Sequence, residues 1–197
     1  MKQFPKVIAI CGLKRSGKDT IADYLCAQYG YTKIKIANPL KKGLQVMFGF
    51  TDEQLESNQK DEIDPRWEVQ PRKIMQFLGT EVMQYQLQQI IPGIGRKVWI
   101  RSLIEEYLNN SKYNGKLFVI PDLRFLHEYE ELSKHNAIFW RVDRIEELDK
   151  INHNCDIHIS EKEYLQIAVS HTFKNETKND LFNQIVNQIN QLSISQT

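Results

Sequence analysis

Val7-Ile-Ala-Ile-Cys11, followed at once by Gly12-Leu-Lys-Arg-Ser-Gly17-Lys18, is the stretch whose reading decides the fold. Five successive apolar residues suit a strand covered on both faces, as in a parallel sheet. The turn that follows matches GxxxxGK, and beyond it Ile21, Ala22, Leu25 and Tyr29 recur at helical spacing until Gly30 offers a stop. Strand, glycine turn and helix open an α/β unit, and this is the context in which such a turn cradles phosphate. Its glycines let successive N–H groups face inward, the helix start adds positive potential, and the lysine reaches the β and γ phosphates.

Outward from this unit, short apolar stretches alternate with helical patterns. Lys33-Ile-Lys-Ile-Ala37 reads as a strand, Asn38-Pro39 breaks it, and a helix is predicted over 40–48. The polar segment 51–70 reads as a loop with a short helix. Pro71 suits the first position of a helix carrying Ile74, Leu78, Val82 and Tyr85 on one face, with Tyr85 read as core packing. A further helix is predicted over 97–108. Leu117-Phe-Val-Ile-Pro121-Asp122 reads as a strand ending in proline and a carboxylate, followed by a helix through 128–134 and a strand over 137–142. A last strand over 165–169 and a closing helix with Leu181, Ile185, Ile189 and Leu192 on one face complete the chain. The alternation predicts a three-layer α/β/α fold with a central parallel sheet, in one domain spanning 1–197. The charged run 143–163, with Arg144 and Lys162 in it and Arg141 just before, is the expected lid.

Composition narrows the function. Twenty-six Lys and Arg against 25 Asp and Glu leave 197 residues at +1, which argues against an extended nucleic-acid footprint. Cys11, Cys26 and Cys155 show no CxxC spacing, so neither a disulfide framework nor a zinc site is expected, and a reducing, cytoplasmic setting is. His127 and His158 have no second ligand at i+4. The apolar start of the chain is cut off by Gly12 before it takes signal-peptide form, and no run approaches a membrane span.

One position departs from the common phosphate loop. Asp19 stands where a Ser or Thr hydroxyl usually binds Mg²⁺, with Thr20 next to it. A carboxylate holds a hard cation directly or through its waters, so Asp19 and Thr20 are the expected Mg²⁺ residues. Arg15, Gly17, Lys18, Asp19 and Thr20 form the expected ATP contacts.

Lys14-Arg-Ser-Gly-Lys-Asp-Thr20 resembles the phosphate loop of the phage-type deoxynucleoside monophosphate kinases, and other segments follow in that family's order. Ala37-Asn-Pro-Leu-Lys41 resembles its post-strand segment, Arg72-Lys-Ile-Met-Gln-Phe-Leu-Gly-Thr80 its RxxMQxLGT helix, and Trp99 its next aromatic. Pro121-Asp-Leu-Arg124 with His127-Glu128 resembles its PDxR…HE element, and Asp156-Ile-His158-Ile-Ser-Glu161 its DxHxxE stretch. The chain is shorter than phage members between the second helix and the arginine before Trp67. The resemblance implies a P-loop kinase that binds ATP and a deoxynucleoside monophosphate (dNMP), with Lys14, Leu40, Lys41, Arg66, Arg72, Gly79, Thr80 and Trp99 on the acceptor side. Phosphomevalonate kinases share the KxSGKD loop and a DxR element and define a second acceptor class. A third reading is a nucleotide-binding regulatory module.

The chemistry assigns roles within that frame. A nucleoside monophosphate has a second pKa of about 6, so its attacking oxygen is largely anionic near neutral pH and no general base is needed. Two polyanions must instead be brought together by positioned cations. Lys18, Arg72, Asp122 and Arg124 are the expected catalytic set: Lys18 on the polyphosphate, Arg72 as a two-pronged clamp on the acceptor phosphate, Asp122 on Mg²⁺ or its waters, and Arg124 on either phosphate. Asp122 also suits a helix cap, Arg66 and Arg72 also suit exposed surface, and Gly79 suits either close substrate approach or close helix packing. Trp67, Trp99 and Gln76 are candidates for holding the base. Exposed helical faces leave room for a homodimer, although no heptad repeat specifies one.

Overall fold

The computed structural model describes residues 4–144 and 163–194. Most of the expected lid and the whole DxHxxE stretch, 156–161, lie outside these residues. Five strands form one parallel sheet: β1 (Val7–Cys11), β2 (Tyr31–Lys33), β3 (Leu117–Ile120), β4 (Ile138–Asp143) and β5 (His171–Lys174), in the order β2-β3-β1-β4-β5. β1 occupies the centre, and all five of its residues are completely buried. Burying each of its larger side chains is worth about 1.5–3 kcal/mol, which is why an unbroken apolar run selects the middle of the sheet.

Alternation along the strands sorts side chains onto two faces. Ile8, Ile10, Val119, Trp140, Val142 and Phe173 meet Ile21 and Leu25 of α1 (Lys18–Tyr29) together with a C-terminal helix, Lys178–Ile194, which supplies Leu181, Ile185 and Ile189. On the other face Tyr107 and Tyr113 pack their rings on Phe118, and Tyr129 packs on Phe139. Helices and aromatic side chains thus cover both faces, as an all-parallel sheet requires. Two strands differ from expectation. β2 lies earlier than the Lys-Ile alternation suggested, and the chain leaves the sheet through Ile34, whose N–H still donates to the Val119 carbonyl at 3.0 Å. The apolar run at 165–169 is not a strand: Glu163–Gln166 is a 3-10 turn, and β5 begins only at His171, paired with Trp140.

The chain divides into two compact units. The first, Met1–Lys35 with Glu106–Thr197, contains the sheet. The second, Ile36–Glu105, is helical and contains α2 (Asn38–Phe48), α3 (Asp52–Glu56), α4 (Pro71–Gln76) and α5 (Val98–Leu103). Its core gathers Leu44, Phe50 and Leu55, with Leu40, Ile74, Met75 and Leu78 against them. Pro at N1 starts α4 as expected, but from Phe77 to Gln86 the helix widens to π geometry. Among the described residues no helix is long and apolar enough to cross a membrane.

Candidate active site

The turn after β1 is seated at both ends by contacts that only glycine permits. Gly12 has φ 143° and lies against β4, where a Cβ would come within 2.4 Å of the Val142 carbonyl oxygen. Gly17, with φ 112°, faces Asn175, whose Nδ2 would stand 2.5 Å from a Cβ there. Between them Arg15 also takes positive φ, and Ser16 is wholly buried. The Ile21 N–H then donates to the Gly17 carbonyl at 3.0 Å and begins the helical ladder. The glycines that the motif demands for phosphate approach are therefore also demanded by the strand and side chain beside the loop.

Lys18 folds back over this loop, its ammonium donating to the carbonyls of Gly12, at 2.8 Å, and Leu13. Burial, and then the charge of Arg124, push it down to about 8, against Asp19, Cys11 and Asp122, which favour its charged form. Asp19, Asp122 and Arg124 are thus each close enough to act electrostatically on Lys18. Asp122 and Arg124 follow the carboxyl end of β3, where open α/β sheets place their ligands. The backbone there is fixed by Glu128, buried in α6 (Leu126–Ser133), whose Oε2 accepts from the N–H groups of Arg124 at 2.9 Å and Phe125 at 3.0 Å. Burial pushes the Glu128 carboxyl up to about 8.

Asp19 has partners that the motif did not suggest. Lys35 lies 3.2 Å and Lys33 3.7 Å from its Oδ1. Burial opposes ionisation of Asp19, but Lys35 first, then Lys33 and Lys18, hold its carboxyl below the ordinary value. The signal was present in the Lys33-Ile-Lys35-Ile alternation, which puts both lysines on one side of the chain.

The second unit holds the residues expected on the acceptor side, apart from Lys14. Arg72 presents a two-pronged guanidinium to Asp61, Nε to Oδ1 and Nη2 to Oδ2 at 3.2 Å. Arg66 is used as a brace: Nε and Nη2 bind both oxygens of Asp64 at 3.0 and 2.7 Å, and Nη1 donates to the Gly49 carbonyl at 3.2 Å. The Arg66 hydrogen bonds outweigh burial and hold Asp64 well below the usual carboxylate range. Segment 51–70 is consequently ordered, opened by a reciprocal cap between Thr51 and Gln54 and closed by Asp64 pairing with Val69. Lys41 donates to Glu56 at 2.6 Å. Gly79 packs closely on α2, where a Cβ would stand 2.6 Å from Leu40 Cδ2. Trp99 Nε1 donates to the Gly79 carbonyl at 2.8 Å, and Thr80 is buried beside them. Trp67 donates to the Phe48 carbonyl at 3.0 Å. Tyr85 is not a core residue: it is 37% exposed, with Arg96 over its ring.

A sequence model of the deoxynucleotide monophosphate kinase family matches residues 6–64 and 52–186, nearly the whole chain. The chain belongs to that family. A protein of Acanthamoeba polyphaga mimivirus, named as a deoxynucleotide monophosphate kinase, is 29% identical over 198 residues, covering 95% of this chain and 97% of its own. The deoxynucleotide monophosphate kinase of Enterobacteria phage T4 is 43% identical over 44 residues, 22% of this chain and 18% of that protein. Among solved structures, dephospho-CoA kinase from Campylobacter jejuni matches with a TM-score of 0.53 at 15% identity, covering 98% of this chain and 99% of that one. A gluconokinase from Sinorhizobium meliloti 1021 matches with a TM-score of 0.50 at 13% identity, covering 98% of this chain and 96% of that one. The structural likenesses establish the P-loop kinase fold. Membership of the family makes this member an ATP-dependent phosphotransferase of nucleotides, and the regulatory-module reading falls away.

Proposed function

We propose that this member of the family transfers the γ-phosphoryl group of ATP to a deoxynucleoside 5′-monophosphate, giving the diphosphate and ADP. The observation that carries the reading is that the helical unit holds an oxyanion device of its own, in addition to the phosphate loop of the sheet unit. Arg72 meets a carboxylate with two nitrogens, the geometry by which guanidinium also grips phosphate. A kinase whose acceptor is itself a phosphate needs both devices.

In this reading Lys18 and the loop from Arg15 to Thr20 hold the polyphosphate. Arg72, exchanging Asp61 for the acceptor, holds the monophosphate, and Lys14, Lys41 and Arg124 lower the repulsion between the two anions. Leu40, Gly79, Thr80 and Trp99 shape the helical wall of the acceptor unit, and Arg66 keeps the loop beside it rigid. The attacking phosphate oxygen is already anionic, so no side chain has to remove a proton.

Asp19, Thr20 and Asp122 are hard oxygen donors that suit Mg²⁺, and Asp19 is held ionised by its lysines. Among the described residues no three His, Cys, Asp or Glu side chains form a ready-made cage, and Mg²⁺ carried by a nucleotide asks the protein for only one or two carboxylates. When bound, the ion would neutralise charge on the phosphates. We place the enzyme in the cytoplasm, where its nucleotide substrates are.

The test is an ADP-release assay with ATP·Mg²⁺ and each dNMP in turn, with ribonucleoside monophosphates and phosphomevalonate alongside and the diphosphate identified directly. Turnover with at least one dNMP is expected. Turnover with phosphomevalonate alone, or none that depends on an acceptor, would overturn the reading.

A further inference from the structure

Asn175 belongs to none of the motifs, yet it touches the phosphate loop at Ser16 and Gly17. Its Nδ2 donates to the carbonyl of the buried Ser16 at 2.7 Å, across 159 residues of sequence. The same nitrogen fills the place that a Gly17 side chain would take. Its backbone N–H donates to the Asp143 carbonyl at 2.9 Å, so Asn175 extends the β4–β5 pairing and stands on the sheet.

From this geometry we infer that Asn175 is a positioning residue which holds the phosphate loop in its nucleotide-receiving shape; the inference rests on the ATP role proposed for that loop. The Ser16 carbonyl and the Gly17 N–H belong to one planar peptide and point in opposite directions. A donor that holds the carbonyl toward the sheet therefore holds the Gly17 N–H toward the concave side of the loop, where phosphate oxygens are received. Gly12 is seated against β4 at the other end of the turn, so the sheet fixes the loop at two points. Preorganised donors of this kind need no rearrangement when the anion arrives. Without Asn175 the Ser16–Gly17 peptide is released to rotate, and the loop has to be ordered by the nucleotide at a cost in affinity.

The test compares Asn175→Ala, Asn175→Asp and Lys18→Ala by KM for ATP, KM for a dNMP that turns over, and the rise in Tm produced by ATP·Mg²⁺. Loss of this half-buried hydrogen bond is expected to raise the KM for ATP about tenfold in Asn175→Ala. The KM for the dNMP should stay within about twofold. Asn175→Asp should be at least as damaging, because a carboxylate oxygen then faces the Ser16 carbonyl. Asn175 is only half-buried, so neither change opens the core, and if the Ala variant does not fold the Asp variant, of equal size, carries the comparison. A merely structural role would lower Tm while leaving the KM for ATP at the wild-type value, and that result in both variants overturns the inference. If Lys18→Ala also retains wild-type ATP binding and turnover, the reading of the loop itself fails. If Lys18→Ala loses them while the Asn175 variants do not, only the inference about Asn175 fails.

Discussion

Lys18 shows what a single side chain gives up in the fold and regains with ligand. Its ordinary pKa of 10.5 falls to about 8 through burial and then Arg124. Between these values the native chain has released a proton that the unfolded chain keeps, so the contribution of this group to stability rises with pH across the window and is lowest below it. Polyphosphate supplies the countercharge that burial removed, and ATP binding just above pH 8 should therefore draw a proton onto Lys18. Calorimetry in two buffers of different ionisation enthalpy checks this: net proton uptake is expected in the wild type and not in Lys18→Met, and identical heats in both buffers would refute it. At Arg72 the expected outcome of Arg72→Ala is a loss of roughly 10²–10³-fold in turnover. The Kd for ATP should stay within about twofold, because only the acceptor phosphate loses its partner. Unchanged turnover would return Arg72 to a purely local pairing with Asp61.

The helix α6 is set by its own buried acid. Glu128 occupies the third position of the helix, and its Oε2 accepts from the Phe125 N–H, which the helix start leaves open, and from the Arg124 N–H before it. Burial, with Asp122 adding to it, raises the carboxyl from 4.5 to about 8, although the two N–H groups and Arg124 pull the other way. The native chain thus retains a proton that the unfolded chain loses between these values, and stability falls as pH rises through the window. Glu128→Gln keeps an oxygen for both donors and cannot ionise. Its Tm relative to wild type should climb from pH 4.5 to pH 8 and then level off; a flat difference would mean that Glu128 is ionised throughout. In the second unit the widened helix from Phe77 receives a hydrogen bond from Trp99, whose indole N–H donates to the Gly79 carbonyl. Trp99→Phe keeps an aromatic ring, though a smaller one, and drops that donor, which should cost at least about 1 kcal/mol in a denaturant melt.

For the whole molecule, the two devices lie in separate compact units, and each substrate should protect its own. In amide hydrogen exchange ATP·Mg²⁺ is expected to slow residues 12–20 and the segment around 175, while a dNMP slows 61–80. The reverse pattern would exchange the roles given to the units. Much of this arrangement was legible beforehand. β1 and the loop after it could be read because burial on both faces and a phosphate turn each impose a local, short-range composition. The helix at Pro71 could be read for the same reason. The position of β5 could not, because 165–169 is the more apolar stretch, and only the pairing of His171 with Trp140, with Ser170 donating to the Phe139 carbonyl, sets where the strand begins. Arg66 and Arg72 look alike in the sequence. Only the fold shows that Arg66 pairs with Asp64 two residues away and Arg72 with Asp61 eleven away. At Gly79 the sequence allows substrate approach or packing, and only the fold places Leu40 against it. The sequence by itself determined the fold class, the phosphate loop and the kind of chemistry, because these rest on the periodicity and residue type of neighbouring positions. The tertiary structure alone decided which charges are paired, which carboxyls are raised or lowered, and that Asn175 holds Ser16, because those depend on burial and on contacts between residues far apart in the chain.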